Sequence, residues 1–408
     1  MHVAVIGAGV VGLSTALYLR EYGAEVTVFD KKDVGAGASW GNAGHLIPAM
    51  AVPLAAPRNL RFALSSFYKK NAPVTAPKAL DRSLIRFLTE FGKNSTHKKH
   101  MTSLAQMMVL STAAIAEFEH LEVNGIQTTR REAPFTSALT HARAARYLLD
   151  EFATVTEQGY TADISLLGGD ELRFREPLVG DGFNFGIQLN GQSLVDPPQL
   201  VANLAKALEK NHVQIVRNCP IKHVERAQGT VRVVKDRGEG EAFDAAVIAT
   251  GAWLSRLAAD HGVKSPVVAG TGYSMSVETP EQTRGMLYFP ESKIASTTYR
   301  GRLRISSLMQ INDADAPSRE SSRQRMLRAA KAVLPQLKWD TASEFWSGGR
   351  PLTVDGKPLI GRTATEGVYI NGGHGMWGVT LGPVSGKYLV EKIFGGSPTV
   401  LEKFDPRR

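Results

Sequence analysis

Three glycines near the start of the chain, Gly7, Gly9 and Gly12, lie between an apolar run at residues 2–6 and an amphipathic run. In a strand–turn–helix setting the first glycine permits a tight turn, the second lets a pyrophosphate approach the backbone, and the third lets the helix pack against the strand. Free N–H groups at the helix start then bind phosphate. Asp30 ends the next apolar run, where its carboxylate can accept hydrogen bonds from an adenosine ribose. The spacing predicts a dinucleotide site.

This pattern leaves the kind of dinucleotide open. NAD and FAD present the same ADP half to a strand–helix–strand unit, so the glycines and Asp30 fit both. A glycine-rich turn that binds nothing can have the same composition. The rest of the chain has to decide between these alternatives.

Composition narrows the class of protein. The chain has 408 residues, of which 43% are hydrophobic and 21% charged, so two domains with their own cores are expected. The single cysteine, Cys219, excludes an internal disulfide and a multi-thiolate metal site, and we expect no metal. We interpret Cys219 itself as a small buried residue.

The net charge of +9 raises nucleic acid as a partner, but the chain has no basic module with interleaved aromatic residues. We therefore expect no nucleic acid and assign the positive charge to attraction of acidic small molecules or an anionic membrane surface. The first residues enter a strand pattern directly, and we find no run that approaches the ~20 apolar residues of a membrane span. Both observations favour a cytoplasmic protein.

The elements that position these residues alternate between strand and helix patterns, which predicts an α/β fold. The opening strand–helix–strand unit predicts parallel strands with a right-handed connection. Helices are predicted at residues 10–22, 83–121, 199–210, 321–334 and 382–393. Strands are predicted at residues 2–6, 25–29, 183–189, 213–216, 221–226, 231–235, 243–249, 267–277 and 302–306, with shorter pieces within 125–140.

Five segments spread along the chain form a larger pattern. They are residues 3–12 with Asp30, residues 38–45, Val-Ile-Ala-Thr-Gly-Ala-Trp at 247–253, residues 346–361, which begin with Trp-Ser-Gly-Gly-Arg-Pro, and Gly-Gly-His-Gly-Met-Trp-Gly at 372–378. In this order they resemble the D-amino-acid dehydrogenase (small subunit), glycine oxidase and D-amino-acid oxidase family of flavoenzymes. The third and fourth segments are specific to this resemblance, which covers essentially the whole chain.

The resemblance implies a Rossmann-like FAD-binding domain with an inserted substrate domain that carries a mixed sheet. The FAD-binding domain would comprise residues 1–90, 192–266 and 345–408, and the substrate-binding domain residues 91–191 and 267–344. The FAD would be held non-covalently, because Cys219 does not occupy the position used by sarcosine-oxidase relatives. Together, the glycine pattern and the resemblance place these residues at the cofactor: Gly7, Gly9, Val10, Val11, Gly12, Asp30, Lys31, Ala38, Ser39, Asn42, Ala43, Gly44, His45, Ile221, Gly251, His374, Gly375, Met376, Trp377, Gly378, Val379 and Thr380.

Arg350 is the strongest candidate for substrate binding, because a carboxylate in a largely apolar pocket needs a permanent, two-pronged cation. The arginine of Gly-Arg-Pro has this role in the resembling family, and the alternative is a structural ion pair at a strand end. His45 and His374 lie in segments expected beside the flavin. Either could donate a hydrogen bond to flavin or substrate in catalysis, or could be a structural residue. Small residues such as Gly41 and Gly44 would let the main chain approach a flat ring.

The implied reaction is oxidative deamination of a D-amino acid or a related small amine acid, by hydride transfer from Cα to flavin N5. A neutral amine needs no general base for this step, so the protein mainly orients the substrate and disfavours its ammonium form. Tyr273, Tyr288 and Tyr299 are the candidates for further substrate contacts. Alternatives within the family are an oxidase of glycine or sarcosine and a D-hydroxyproline dehydrogenase. Alternatives outside it are an NAD-dependent dehydrogenase and a non-catalytic flavin-binding electron-transfer subunit.

The electron acceptor is expected to be quinone or O2. Residues 58–70 combine Arg and Lys with Leu and Phe in a helical spacing, which is typical of a segment that lies on an anionic membrane. We therefore consider peripheral contact with the inner face of the membrane, and a solvated basic face is the alternative. Homo-oligomer formation also stays open.

Overall fold

The computed structural model describes residues 1–66, 74–75, 82–279 and 283–408. Its helices are α1 (Val10–Glu21), α2 (Pro57–Ser66), α3 (Arg82–Asn94), α4 (His97–Val123), α5 (Ala142–Glu157), α6 (Gly169–Arg175), α7 (Pro197–Lys210), α8 (Leu254–Ala258), α9 (Glu320–Val333) and α10 (Gly378–Ile393). Its strands are β1 (His2–Ile6), β2 (Glu25–Phe29), β3 (His45–Leu46), β4 (Val74–Thr75), β5 (Arg131–Glu132), β6 (Phe135–Leu139), β7 (Ile164–Gly168), β8 (Phe185–Leu189), β9 (Ser193–Leu194), β10 (Gln214–Val216), β11 (Ile221–Ala227), β12 (Thr230–Lys235), β13 (Gly240–Phe243), β14 (Ala245–Ile248), β15 (Val268–Glu278), β16 (Met286–Phe289), β17 (Ile294–Tyr299), β18 (Arg302–Asn312), β19 (Ser343–Leu352), β20 (Leu359–Arg362) and β21 (Val368–Gly372).

The first sheet has the strand order β10-β2-β1-β14-β21-β20. Its strands run parallel except for β20, which is antiparallel to β21. The central strands β1 and β14 are apolar and almost fully buried, as expected for parallel strands that are covered on both faces. Helices α1, α7 and α10 pack together over one face in a single hydrophobic core. The predicted α/β fold with a Rossmann-like first unit is confirmed.

The second sheet has the strand order β19-β15-β18-β17-β16-β6-β8-β7, and β4 pairs with β18. It is mixed, because β16 and β6 run parallel while the neighbouring pairs are antiparallel. Helix α9 covers one face through Met326, Ala330 and Val333, which pack against apolar side chains of β15 and β18. Small sheets of β11-β12-β13 and β3-β9-β5 complete the described part of the fold.

Some predicted boundaries are wrong. The last helix begins at Gly378, not at residue 382, so Pro383 lies inside it, where buried packing against α1 stabilises the helix. The predicted strand at 243–249 is two strands, since Phe243 ends β13 and Ala245 begins β14. The predicted division into domains stays a prediction; its boundary at residue 345 lies within β19, which pairs with β15 as far as Leu352. The chain therefore leaves the second sheet after Leu352.

Helix α4 corrects the expectation about apolar runs, because by length and composition it could cross a membrane. Half of its most apolar window is buried inside the fold. Leu110, Ala114 and Phe118 pack in the core shared with α1 and α10. Its apolar residues are thus explained by packing, as in the core helix of a globular protein.

The close packing of α1 against α10 can be tested by a substitution at Gly386. A Cβ at Gly386 would lie 3.0 Å from the backbone nitrogen of Thr15, so a larger side chain must separate the two helices. We expect Gly386→Leu to lower the free energy of unfolding by about 1–3 kcal/mol, measured by thermal or urea denaturation. The control is Gly182→Leu, since no atom lies within 4 Å of a Cβ there. Equal stability of the two variants would contradict this packing.

Candidate active site

A cavity of about 1190 Å³ lies between the two sheets. It exceeds the ~300–1,000 Å³ of common small-molecule sites, so it has room for a cofactor and a substrate together. Its walls include the β1–α1 turn, the loop from residue 38 to 45, the segment from 374 to 379, and Arg350. Four segments that are distant in sequence therefore meet at one cavity.

The β1–α1 turn has the geometry that the glycine spacing predicts. Gly7 adopts φ +117°, and a Cβ there would lie 2.4 Å from the carbonyl oxygen of Ala249. A Cβ at Gly12 would lie 1.9 Å from the carbonyl oxygen of Gly7, so Gly12 serves helix–strand packing and does not line the cavity. The backbone N–H of Val10 donates to Oγ of Ser39 at 3.1 Å. That bond joins the turn to the next wall of the cavity.

Asp30 lies at the end of β2 and lines the cavity. Its carboxylate accepts the backbone N–H groups of Ala8 at 2.7 Å and Lys32 at 2.8 Å. Burial raises the pKa of Asp30, although these two N–H groups oppose the rise. The carboxylate therefore holds the glycine turn in place, a role that sequence reasoning missed. Its remaining lone pairs can accept ribose hydroxyls, as predicted.

The loop from residue 38 to 45 is shaped by aromatic side chains of the second sheet. A Cβ at Gly41 would lie 1.9 Å from the Trp346 ring, and one at Gly44 would lie 1.8 Å from the hydroxyl of Tyr299. The Tyr299 hydroxyl donates to the carbonyl of Ala43. The glycines at 41 and 44 are thus explained by these protein contacts, which corrects the interpretation that a flat ring requires them.

His374 is buried and keeps a fixed tautomer. Ser385 donates its hydroxyl to the carbonyl of Leu381, so Nε2 of His374 donates to that hydroxyl at 2.9 Å. Burial lowers the pKa of His374 to about 3, so the ring is neutral at pH 7. The Nε2–H group of His374 therefore donates its hydrogen bond to Ser385. It is not available to donate to flavin or substrate, a role that the sequence left open.

His45 has a similar environment. Its Nε2 lies 3.3 Å from the carbonyl oxygen of Ser296 and donates to it. Burial lowers the pKa of His45 to about 4, although that hydrogen bond opposes the shift. The ring packs edge-on against Phe135, with 5.7 Å between ring centroids. Each neutral histidine keeps only Nδ1, which can accept a hydrogen bond.

Arg350 projects from β19 into the cavity. Its guanidinium covers Gly272 on β15, where a Cβ would lie 2.4 Å from Cζ. Nη1 lies 4.0 Å from the sulfur of Met309. Burial lowers the pKa of Arg350 to about 10, so the side chain remains a cation at pH 7. Gly272 is a residue that sequence reasoning missed, and a glycine in a strand interior was the available signal.

The predicted tyrosines separate in the structure. Tyr288 lines the cavity and stacks on Phe135 with 6.0 Å between centroids. Tyr273 points into the core under α9, where its hydroxyl donates to Gln310 at 2.8 Å. Tyr299 lies behind the loop that it holds. Of the three predicted tyrosines the structure brings Tyr288 to the cavity, whereas the strand positions of Tyr273 and Tyr299 direct them away from it.

Most of the predicted cofactor residues are brought together. Three lie behind the wall, namely Gly12, Gly44 and Thr380, whose hydroxyl donates to the carbonyl of His45 at 3.2 Å. Cys219 lines the end of the cavity beside Asp30, whose carbonyl accepts its N–H at 2.7 Å. The predicted cofactor residues that line the cavity are Gly7, Gly9, Val10, Val11, Asp30, Lys31, Ala38, Ser39, Asn42, Ala43, His45, Ile221, Gly251, His374, Gly375, Met376, Trp377, Gly378 and Val379.

Comparison with known proteins identifies the class of protein that this fold and cavity define. The model of the DAO family, described as FAD dependent oxidoreductase, matches residues 2–392. The chain belongs to this family and is an FAD-dependent oxidoreductase. The NAD-dependent alternative is therefore set aside.

Solved structures share the fold over the whole chain. Glycine oxidase from Geobacillus kaustophilus matches at 21% identity with a TM-score of 0.77, covering 100% of this chain and 98% of that one. Iminodiacetate oxidase from a Chelativorans species matches at 20% identity and TM-score 0.73, covering 99% and 98%. L-α-glycerophosphate oxidase from Mycoplasma pneumoniae, solved with FAD bound, matches at 16% and 0.75, covering 100% and 98%.

The residues present fit FAD. The turn at Gly7 and Gly9 places the start of α1 at the cavity, where the helix N-terminus would stabilise a pyrophosphate. The cavity continues from Asp30 past His45 to Arg350, which is long enough for a second moiety beyond the adenosine.

The phosphate cradle can be tested at Gly9. A Cβ there would approach only Oγ of Ser39, at 3.2 Å, so the fold tolerates a side chain while the cavity does not. We expect Gly9→Val to weaken FAD binding at least about tenfold, because it fills the space for a pyrophosphate, seen as a lower ratio of absorbance at 450 to 280 nm. Gly182→Val is the control. Full FAD occupancy in Gly9→Val would contradict the assignment.

The low pKa of His374 predicts acid sensitivity. Its folded value of about 3 lies below the unfolded value of about 6.5, so between these pH values only the unfolded chain binds the proton. Stability is therefore present above pH ~6.5 and lost as the pH falls toward 3. We expect the drop in Tm between pH 7 and pH 4.5 to be smaller in His374→Asn. An unchanged drop would show that His374 is not buried as a neutral group.

Proposed function

We propose that the protein catalyses FAD-dependent oxidative deamination of a D-amino acid or a related small amine acid. The observation that carries this proposal is Arg350, a half-buried cation beside the apolar side chain of Met309 in the cofactor cavity. Such a cation matches a carboxylate and fixes its orientation. Glycine oxidase and iminodiacetate oxidase, two structures with this fold, are named for substrates that contain both an amine and a carboxylate.

The cavity walls support the rest of the reaction. FAD, when bound, supplies the acceptor for the hydride that leaves Cα. Phe135, Tyr288 and Met309 line the cavity and make it largely apolar, which disfavours the ammonium form of the substrate and favours the neutral amine. The low pKa values of His45 and His374 make both rings weak bases, so we assign no general base. The chain's main contribution is orientation.

We also propose quinone or O2 as electron acceptor, with peripheral membrane contact through α2 in the quinone case. Leu64 and Arg61 are exposed on α2, which supports such contact. Arg58 supports it less, because it pairs with Glu151 at 3.2 Å and lies over the ring of Tyr147. Lys69 and Lys70, part of the same prediction, lie outside the described residues.

The direct test of the reaction is anaerobic mixing of the purified holoenzyme with D-amino acids, glycine, sarcosine and the hydroxyproline isomers. We expect at least one of them to bleach the flavin absorbance. If dithionite bleaches the flavin and none of the amino acids does, the proposal fails. That result would favour the alternative of a non-catalytic electron-transfer subunit. Repeating the productive case in air and with a quinone analogue identifies the acceptor.

Arg350 provides the residue-level prediction. Loss of a buried, charge-assisted pair costs about 2–5 kcal/mol, so Arg350→Met should raise KM for the substrate by about 30-fold or more. FAD content should stay close to that of the wild type. Arg362→Met is the control, since Arg362 is an exposed arginine on β20. A wild-type KM in Arg350→Met would remove Arg350 from the substrate site.

A further inference from the structure

Trp40 lies in the loop from residue 38 to 45, but its side chain is directed away from the cavity. Its neighbours Ser39 and Gly41 line the cavity, whereas the Trp40 ring lies under Arg304 of β18. The guanidinium carbon of Arg304 is 4.3 Å from the ring centroid. The second sheet thus places a cation on the side of the loop from residue 38 to 45 that faces away from the cavity.

Arg304 is an unusual residue to bury. It is 4% exposed and donates to Oγ of Ser276 at 3.2 Å and to the carboxylate of Glu344 at 3.4 Å. Its Nη2 is buried without a hydrogen-bond partner among the described residues. Glu344 is itself 50% exposed, so it compensates the buried charge weakly. The stacking on Trp40 is therefore a substantial part of what holds the guanidinium, since desolvated cation–π pairs are among the stronger ones.

The same loop is held at three further points. Trp346 packs against Gly41, and Tyr299 donates to the carbonyl of Ala43. At its inner end, Oγ of Ser39 accepts the N–H of Val10 in the dinucleotide turn. Displacement of Trp40 would therefore be transmitted directly to Ser39 and to the turn.

We propose that Arg304 is a positioning residue for the cofactor: by stacking on Trp40, it fixes the loop that closes the dinucleotide turn. The proposal rests on the FAD site and is independent of the substrate. It assigns a role to a residue of the second sheet that does not line the cavity.

The test compares Arg304→Met with Arg302→Met in the purified holoenzyme. Arg302 lies on the same strand and donates to the carbonyl of Thr341 at 2.9 Å and to Oγ of Ser343 at 2.6 Å, away from the loop. Both variants should lose some Tm. Only Arg304→Met should raise the FAD dissociation constant, by about tenfold, and alter the visible flavin band. Equal FAD affinity in the two variants would overturn the proposal.

A double-mutant cycle with Trp40 separates stacking from general destabilisation. Trp40→Phe keeps an aromatic face and should weaken FAD binding less than Trp40→Leu in the wild-type background. In the Arg304→Met background the two Trp40 variants should bind FAD equally. Additive effects of the Arg304 and Trp40 substitutions would show that the two residues act separately, and the proposal would be wrong. Arg304→Lys, which keeps the charge but not the planar group, should restore FAD affinity only in part.

Discussion

The close approach of main chain to main chain at the β1–α1 turn is the constraint on which the site depends. Gly7 meets the carbonyl of Ala249, the residue that follows β14, and Gly12 meets the carbonyl of Gly7 itself. Because no side chain fits at either position, the start of α1 is pressed against the centre of the first sheet. The carboxylate of Asp30 ties the same turn to the end of β2 through Ala8. The start of α1 thereby lies at the cavity, which Val10 and Val11 line.

The second sheet turns this general dinucleotide cradle into a site for one chemistry. Its edge strand β19 carries Arg350 over Gly272 of β15, where the absence of a side chain makes room for the guanidinium. Its aromatic side chains Trp346 and Tyr299 hold the loop that forms the opposite wall. In the function that we propose, substrate recognition by Arg350 and positioning of the cofactor loop therefore come from the same sheet.

Sequence reasoning located the residues whose identity is fixed by backbone geometry or charge. Gly7 and Gly12 follow from the turn itself, and Arg350 from the resemblance and the need for a permanent cation. It could not foresee that Tyr273 and Tyr299 lie away from the cavity, because the face on which a strand residue lies depends on register, and a shift of one residue reverses it. The pairing of β15 with β18 is irregular between Thr271 and Tyr273, so alternation cannot be extended through that point.

Other features depend on contacts between distant segments and carry no local signal. Position 41 has no room for a side chain because the Trp346 ring packs against it. The hydrogen bond from the Ala8 N–H to Asp30 forms only when β1 and β2 are already side by side. Helix α5, which lines the far end of the cavity, was missed altogether.

We propose that FAD occupies the cavity between the sheets and that Arg350 faces the reacting end of the flavin. A crystal structure of the holoenzyme with a bound amino acid tests it most directly. We expect the pyrophosphate at the Gly7–Gly9 turn and a two-pronged contact of Arg350 with the ligand carboxylate. A carboxylate held by other residues, with Arg350 turned away from the ligand, would contradict it.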